Sequence, residues 1–232
     1  MKVARPKSKR VAKPRVAQRA RPATKPPAVR ERIREQQRAT YREAILDAAE
    51  RVFAAREFAG VRMSDVAAEA GMATGTLYNY FENKDEILSS LILARGNDLL
   101  RELEATFETE REPLARIERM VRATFDYVER HRAGYKMLME MAPPKVALQR
   151  FGGPGLVEIQ ARYLALLESA VAAGVRARRL RGKVPARDVA IFLAGAIDGM
   201  ARTSIALDDR IRLADKVGMV MELFLSGAGT KS

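Results

Sequence analysis

The 232-residue chain has no cysteine, no tryptophan and a single histidine. Without cysteine, disulfides and thiolate metal sites are excluded. One histidine, His131, is too few for a histidine-cluster metal site within one chain. No nucleophile–base pairing, phosphate-cradling glycine loop or metal-ligand spacing stands out, so the chain does not read as an enzyme and requires no cofactor. Long apolar runs are scarce too. The stretch 189–201 (VAIFLAGAIDGMA) contains Asp198 and falls short of the roughly 20 residues a membrane span needs. The N-terminus lacks the apolar run of a secretory signal. The cytoplasm is therefore the expected compartment, with no membrane partner.

Acidic residues are missing from one region only. The first 30 residues hold eleven of the 42 lysines and arginines and no Asp or Glu, and Pro6, Pro14, Pro22, Pro26 and Pro27 are half of the chain's ten prolines. High charge, many prolines and few apolar groups predict a disordered basic tail over residues 1–38. Such an arm neutralises DNA phosphates or enters a minor groove, or it serves only to keep the chain soluble. The rest is long enough for one large or two small domains with a proper core.

What is present centres on residues 61–84, VRMSDVAAEAGMATGTLYNYFENK. Ser64 is a candidate N-cap, followed by Asp65, an acidic residue where the helix dipole favours one. Val66, Ala67 and Ala70 share a face at helical spacing. Gly71 can take the left-handed conformation of a sharp reversal. Thr74 then caps a second helix, with Leu77 and Phe81 on one face and Thr76, Tyr78, Asn79 and Tyr80 on the others. Asn83 caps the next helix, with Glu86 three residues on and Lys84 in the first turn. Two short helices joined by a glycine turn, with small residues where they meet, make a helix-turn-helix.

The run G-M-A-T-G-T-L-Y-N-Y-F-E-N-K closely resembles the DNA-binding signature of the tetracycline-repressor (TetR) family of bacterial regulators. The resemblance covers roughly residues 40–95. It implies an all-α fold: a three-helix DNA-binding domain (39–84) followed by a helical ligand-binding and dimerisation domain (85–228). It also implies a homodimer on double-stranded DNA, at a palindromic operator whose half-sites are about 34 Å or a multiple apart, and a small-molecule effector. The expected activity is repression of transcription. The competing reading is a sequence-nonspecific nucleoid protein that depends on the basic tail.

Residue types assign the expected roles. Thr74, Thr76 and Asn79 face bases or nearby phosphates, and an Asn amide suits an adenine edge. Ser64, Tyr78, Tyr80 and Lys84 anchor the backbone, and Gly75 permits close approach to the duplex. By resemblance, Thr40, Tyr41 and Arg42 lie near phosphates, at the start of a helix 41–56 that Thr40 and Glu43 cap. A stretch 84–110 reads as one long helix, with a break or kink plausible at Gly96. Helices are also expected at 113–132, 135–141 and 156–173, the last closed by Gly174. Residues 142–155 form a connection, and GVRARRLRGKVP a solvated loop. Phe125, Tyr127, Met137, Met141, Phe151 and Tyr163, with His131 nearby, are the expected lining of an effector pocket. Helices 186–207 and 209–225 are expected to pair with their copies through Ala190, Ala194, Ile197, Asp198, Met200, Ala201, Val217, Val220, Met221 and Phe224. Effector binding would then tilt the long helix and respace the two reading heads, provided the effector prefers one arrangement.

Overall fold

The structure, a computed structural model of the chain, describes residues 29–141, 153–207 and 212–228; every regular element among them is helical. The chain divides into two units, residues 1–38 and 39–232. In the first, the described residues 29–38 are helical and wholly exposed. This corrects the expected tail. Helix α1 runs Val29–Ala55, so Thr40 is an interior residue and not a cap. Residues 29–39 (VRERIREQQRA) contain no breaker and are rich in Arg, Glu and Gln, all good helix formers. The tail residues 1–28 lie outside the described residues.

In the second unit, α1 buries Ile45, Leu46, Ala48, Ala49, Val52 and Phe53. A 3-10 turn, Phe58–Gly60, leads to α2, Met63–Glu69. Ser64 lies inside α2 and caps nothing. Arg62 holds the cap position, and the Asp65 carboxylate accepts its N–H at 2.8 Å. After α2, Gly71 takes φ +67°, the Gly71 N–H donates to Ala68 and the Met72 N–H donates to Ala67. This double closure uses carbonyls that a helix end leaves unpaired, and it needs the left-handed residue in the middle. Helix α3 is short, Thr74–Leu77, and the cap position is Ala73 rather than Thr74. Turns continue to Phe81, whose N–H reaches the Leu77 carbonyl at 3.1 Å.

Helix α4, Lys84–Thr109, is capped by Asn83, which accepts the Glu86 N–H at 2.9 Å as the sequence predicts. It is continuous through Gly96. That glycine serves packing instead: a Cβ there would lie 3.1 Å from the Ile159 side chain. Gly155 likewise admits Leu93, which a Cβ would meet at 2.9 Å. Two glycines on facing helices thus let α4 and α7 (Gly153–Arg176) approach closely.

Helix α5, Pro113–Arg130, begins with proline at its first turn, and the Glu112 carboxylate accepts the Ala115 N–H at 2.6 Å. Helix α6 is Arg132–Met141. Gly174 does not close α7, which runs on to Arg176; Leu180 fills the space a Cβ would take, and Arg178 supplies the left-handed residue at φ 58°. Helix α8 is Ala186–Ala206, and after a 3-10 turn at Leu213–Lys216 helix α9 is Val217–Ala228. Two clusters of buried side chains result. One joins α1, α2, α3 and the start of α4. The other joins α4, α5, α7, α8 and α9.

The second cluster corrects the expected dimer surface at seven of its ten residues. Ala190, Ile197, Ala201, Val217, Val220, Met221 and Phe224 are buried within their own chain, where α8 and α9 pack on α5 and α7. Ala194 and Met200 are half-buried against the same cluster, and Asp198 is exposed. An apolar stripe does not say which neighbour covers it. The outward row of α8 is Phe192, Gly195 and Gly199, and that of α9 is Met219 and Leu223; Phe192 is 69% exposed and Leu223 65%. By length and composition α8 passes as a membrane span. Its Leu193, Ile197 and Ile205 instead fill a protein core.

Candidate DNA interface and effector cavity

The helix-turn-helix presents Gly75, Thr76, Tyr78 and Asn79 outward, with Thr74 and Tyr80 half-buried at the edge of that surface. Leu77, fully buried, holds α3 down from beneath. Thr40 and Ser64 are exposed on neighbouring elements. Tyr41 is exposed and its ring lies 5.9 Å from that of Tyr80. Arg42 is not a loose surface cation. Its guanidinium sits 4.1 Å over the Phe81 ring and donates to the Tyr80 carbonyl at 2.8 Å, so α1 braces the end of the reading segment. Lys84 is turned inward: its ammonium donates to the carbonyls of Phe58, Ala59 and Val61.

Gly75 gives a clean test of this surface. A Cβ there would meet nothing within 4 Å, and its φ is unexceptional, so the fold has no need of glycine. Gly75→Ala should leave the melting temperature unchanged or raise stability by up to about 1 kcal/mol through helix propensity. Operator affinity, read by titration of labelled duplex, should fall about tenfold if DNA backbone approaches there.

A cavity of about 510 Å³ lies among α4, α5, α6, α7 and α8. That is within the usual range for a small-molecule site, roughly 300–1,000 Å³. Its walls are mainly apolar, from Leu88, Leu91, Ile92, Leu99, Ile159 and Ile191. Tyr127, Met137, Tyr163 and His131 line it as the sequence predicts. Phe125 does not. It is fully buried on the other side of α5, one residue round from the lining set Thr124, Tyr127, Val128 and His131. The Met141 side chain and Phe151 lie outside the described residues. The α4 wall, and the α7 wall apart from Tyr163, escaped the sequence reading. Their signal was an α4 stripe that continues past what a three-helix domain needs.

Polar groups sit at two places on the cavity wall. The Tyr135 hydroxyl lies 3.1 Å from Asp198, and that of Tyr163 lies 3.4 Å from Thr124. Burial pushes the Tyr163 hydroxyl up to about 12, and raises Tyr127 and Tyr135 as well, so all three stay neutral donors. The second place is the joint with α1. Arg95 of α4 reaches Glu50 at 2.9 Å and Glu43 at 2.6 Å, and also pairs with Asp47 and, at 3.3 Å, with Asp98. Burial opposes its charge, but hydrogen bonds to Glu43 and Glu50 outweigh that and raise its pKa. Glu50 also meets the His131 ring at 2.5 Å. Glu50, Arg95 and His131 all line the cavity. Among the described residues no cluster of His, Asp and Glu is arranged to hold a metal ion.

Known proteins share this fold. Residues 45–91 match the family model described as bacterial regulatory proteins, tetR family. The fatty acid metabolism regulator protein of Bacillus subtilis (strain 168) is 25% identical over 188 residues, covering 81% of this chain and 95% of that protein. The HTH-type transcriptional regulator TtgR of Pseudomonas putida is 28% identical over 185 residues, covering 76% and 85%. The solved structure of the transcriptional regulator FadR from Bacillus subtilis in complex with stearoyl-CoA has the same fold, with a TM-score of 0.68 at 23% identity over 80% of this chain and 98% of that one. The matched residues are those that carry the helix-turn-helix and its buried support, and over them the chain matches the tetR family of bacterial regulatory proteins.

Proposed function

We propose that this protein represses transcription as a homodimer at a palindromic operator and is released by a small, largely apolar effector. The observation that carries the reading is the sharing of walls. The cavity is closed in part by Glu50 of α1 and by Leu88, Leu91 and Arg95 of α4. These two helices also hold α2 and α3 in place. An occupant of the cavity therefore presses on the supports of the reading segment. Contacts with the operator come from Thr74, Gly75, Thr76, Tyr78, Asn79 and Tyr80, with Ser64, Thr40 and Tyr41 on flanking phosphates. The symmetric contact uses the outward rows of α8 and α9 around Phe192 and Leu223.

The cavity favours an apolar body carrying few hydrogen-bonding groups. The Bacillus subtilis relatives named for fatty acid metabolism and solved with stearoyl-CoA make long-chain acyl-CoA the first effector class to test. Footprinting on the DNA upstream of the chain's own reading frame should show a protected palindrome. Asn79→Ala should cost about 1–3 kcal/mol of operator binding and relax the preference at one base pair per half-site. Stearoyl-CoA should release the DNA while a short-chain acyl-CoA does not. Binding that shows no sequence preference and vanishes on removal of residues 1–30 would replace this reading with that of a nonspecific nucleoid protein.

A further inference from the structure

We infer that Lys84 is a positioning residue that ties the long helix to the loop launching the reading head, and that its ammonium makes no phosphate contact. A lysine ammonium has three N–H donors and no acceptor. At Lys84 three carbonyls meet Nζ: Phe58 at 2.7 Å, Ala59 at 3.0 Å and Val61 at 3.0 Å. The cation also lies 4.8 Å above the Phe58 ring. These carbonyls belong to the 3-10 turn Phe58–Gly60 and the residue after it. The Phe58 carbonyl also accepts the Val61 N–H at 3.2 Å, so the ammonium adds to a turn the backbone already closes. Lys84 is the first residue of α4, so one charge joins the turn before α2 to α4. A phosphate could take this ammonium only by breaking that set. When α4 moves, the loop 58–61 moves with it.

The inference leans on the DNA-binding reading for one arm of its test only. The full-length protein is compared with Lys84→Met and Lys84→Arg. Without DNA, amide exchange at residues 59–63 should speed up in both variants, because the planar arginine fork cannot bring three N–H groups to one point. With a duplex selected by the wild-type protein, the Met variant should bind about tenfold more weakly at every salt concentration. Its log affinity against log salt should keep the wild-type slope, and arginine should not restore binding. A slope shallower by about 0.9, together with full rescue by arginine and unchanged exchange, would assign Lys84 to a phosphate and overturn the inference. If the Met variant does not fold, exchange and binding of the Arg variant decide. If the wild-type protein selects no duplex, the DNA-binding reading fails, while the exchange measurement still decides the role of Lys84.

Discussion

Replacing Phe192 and Leu223 together by aspartate is expected to yield folded monomers whose operator affinity is lower by about a hundredfold or more. Both side chains face outward, at 69% and 65% exposure, so neither supports the subunit's own core. A charge at each site should leave the fold intact and would place four carboxylates in the proposed symmetric contact, where they repel and lose water. One reading head then binds without the other, and the gain from simultaneous engagement, roughly 10²–10⁴, disappears. Sedimentation velocity reads the mass, circular dichroism the helix content, and titration of a full palindrome against a half-site the affinity. Wild-type mass with unchanged affinity would remove this face from the assembly. A neighbouring substitution gives the contrast. Ile197→Ala acts on a side chain 2% exposed in the subunit's own core, and should cost about 2–5 kcal/mol of stability with no specific effect on association.

Arg95→Met is the second large effect. One guanidinium is shared by three carboxylates of α1 at successive turns, Glu43, Asp47 and Glu50, and by Asp98 of its own helix. The Arg95 side chain is only 12% exposed, whereas Glu43 and Asp47 are about half exposed. Removing a buried partner of an ion pair costs about 3–5 kcal/mol. Water around Glu43 and Asp47 lowers the expected loss to about 2–3 kcal/mol. The melting temperature should fall by about 4–10 °C. The guanidinium's raised pKa means its contribution is fully present below the ordinary arginine value and is lost only as pH rises beyond it. The difference between the two proteins therefore owes nothing to arginine titration at neutral pH. The variant should also lose effector response, since α1 is no longer held to the cavity wall. An unchanged melt would show that the carboxylates find water or Arg101 as an equal partner.

Local rules made the reading head legible. The glycine turn at Gly71, the Asn83 cap with Glu86, and the buried Leu77 and Phe81 follow from spacing and residue type over a few positions. Caps chosen by residue type alone were less secure. Ser64, Thr74 and Thr40 all have capping hydroxyls, yet Arg62 and Ala73 hold the first two cap positions, and α1 passes straight through Thr40. Backbone direction before the helix decides where it begins, and a hydroxyl inside it simply faces outward. Gly96 and Gly174 misled for a different reason. Each accommodates a side chain distant in sequence or beyond the helix end, Ile159 or Leu180, and residue type does not announce that. The same holds for Phe125 and for the apolar residues of α8 and α9. Periodicity reports that a face is covered, while only the packing of helices far apart in sequence tells whether the cover is a cavity, the subunit's own core or a second subunit.

The Glu50 carboxylate belongs to the first helix yet closes the cavity beside His131. A chimaera that grafts a foreign reading head onto this chain at the start of α4 would therefore import a different residue at that point of the effector wall. Engineers who wish to retarget the operator while keeping the inducer profile should carry Glu43, Asp47 and Glu50 over with the recipient, and exchange only what lies on the duplex side of the joint.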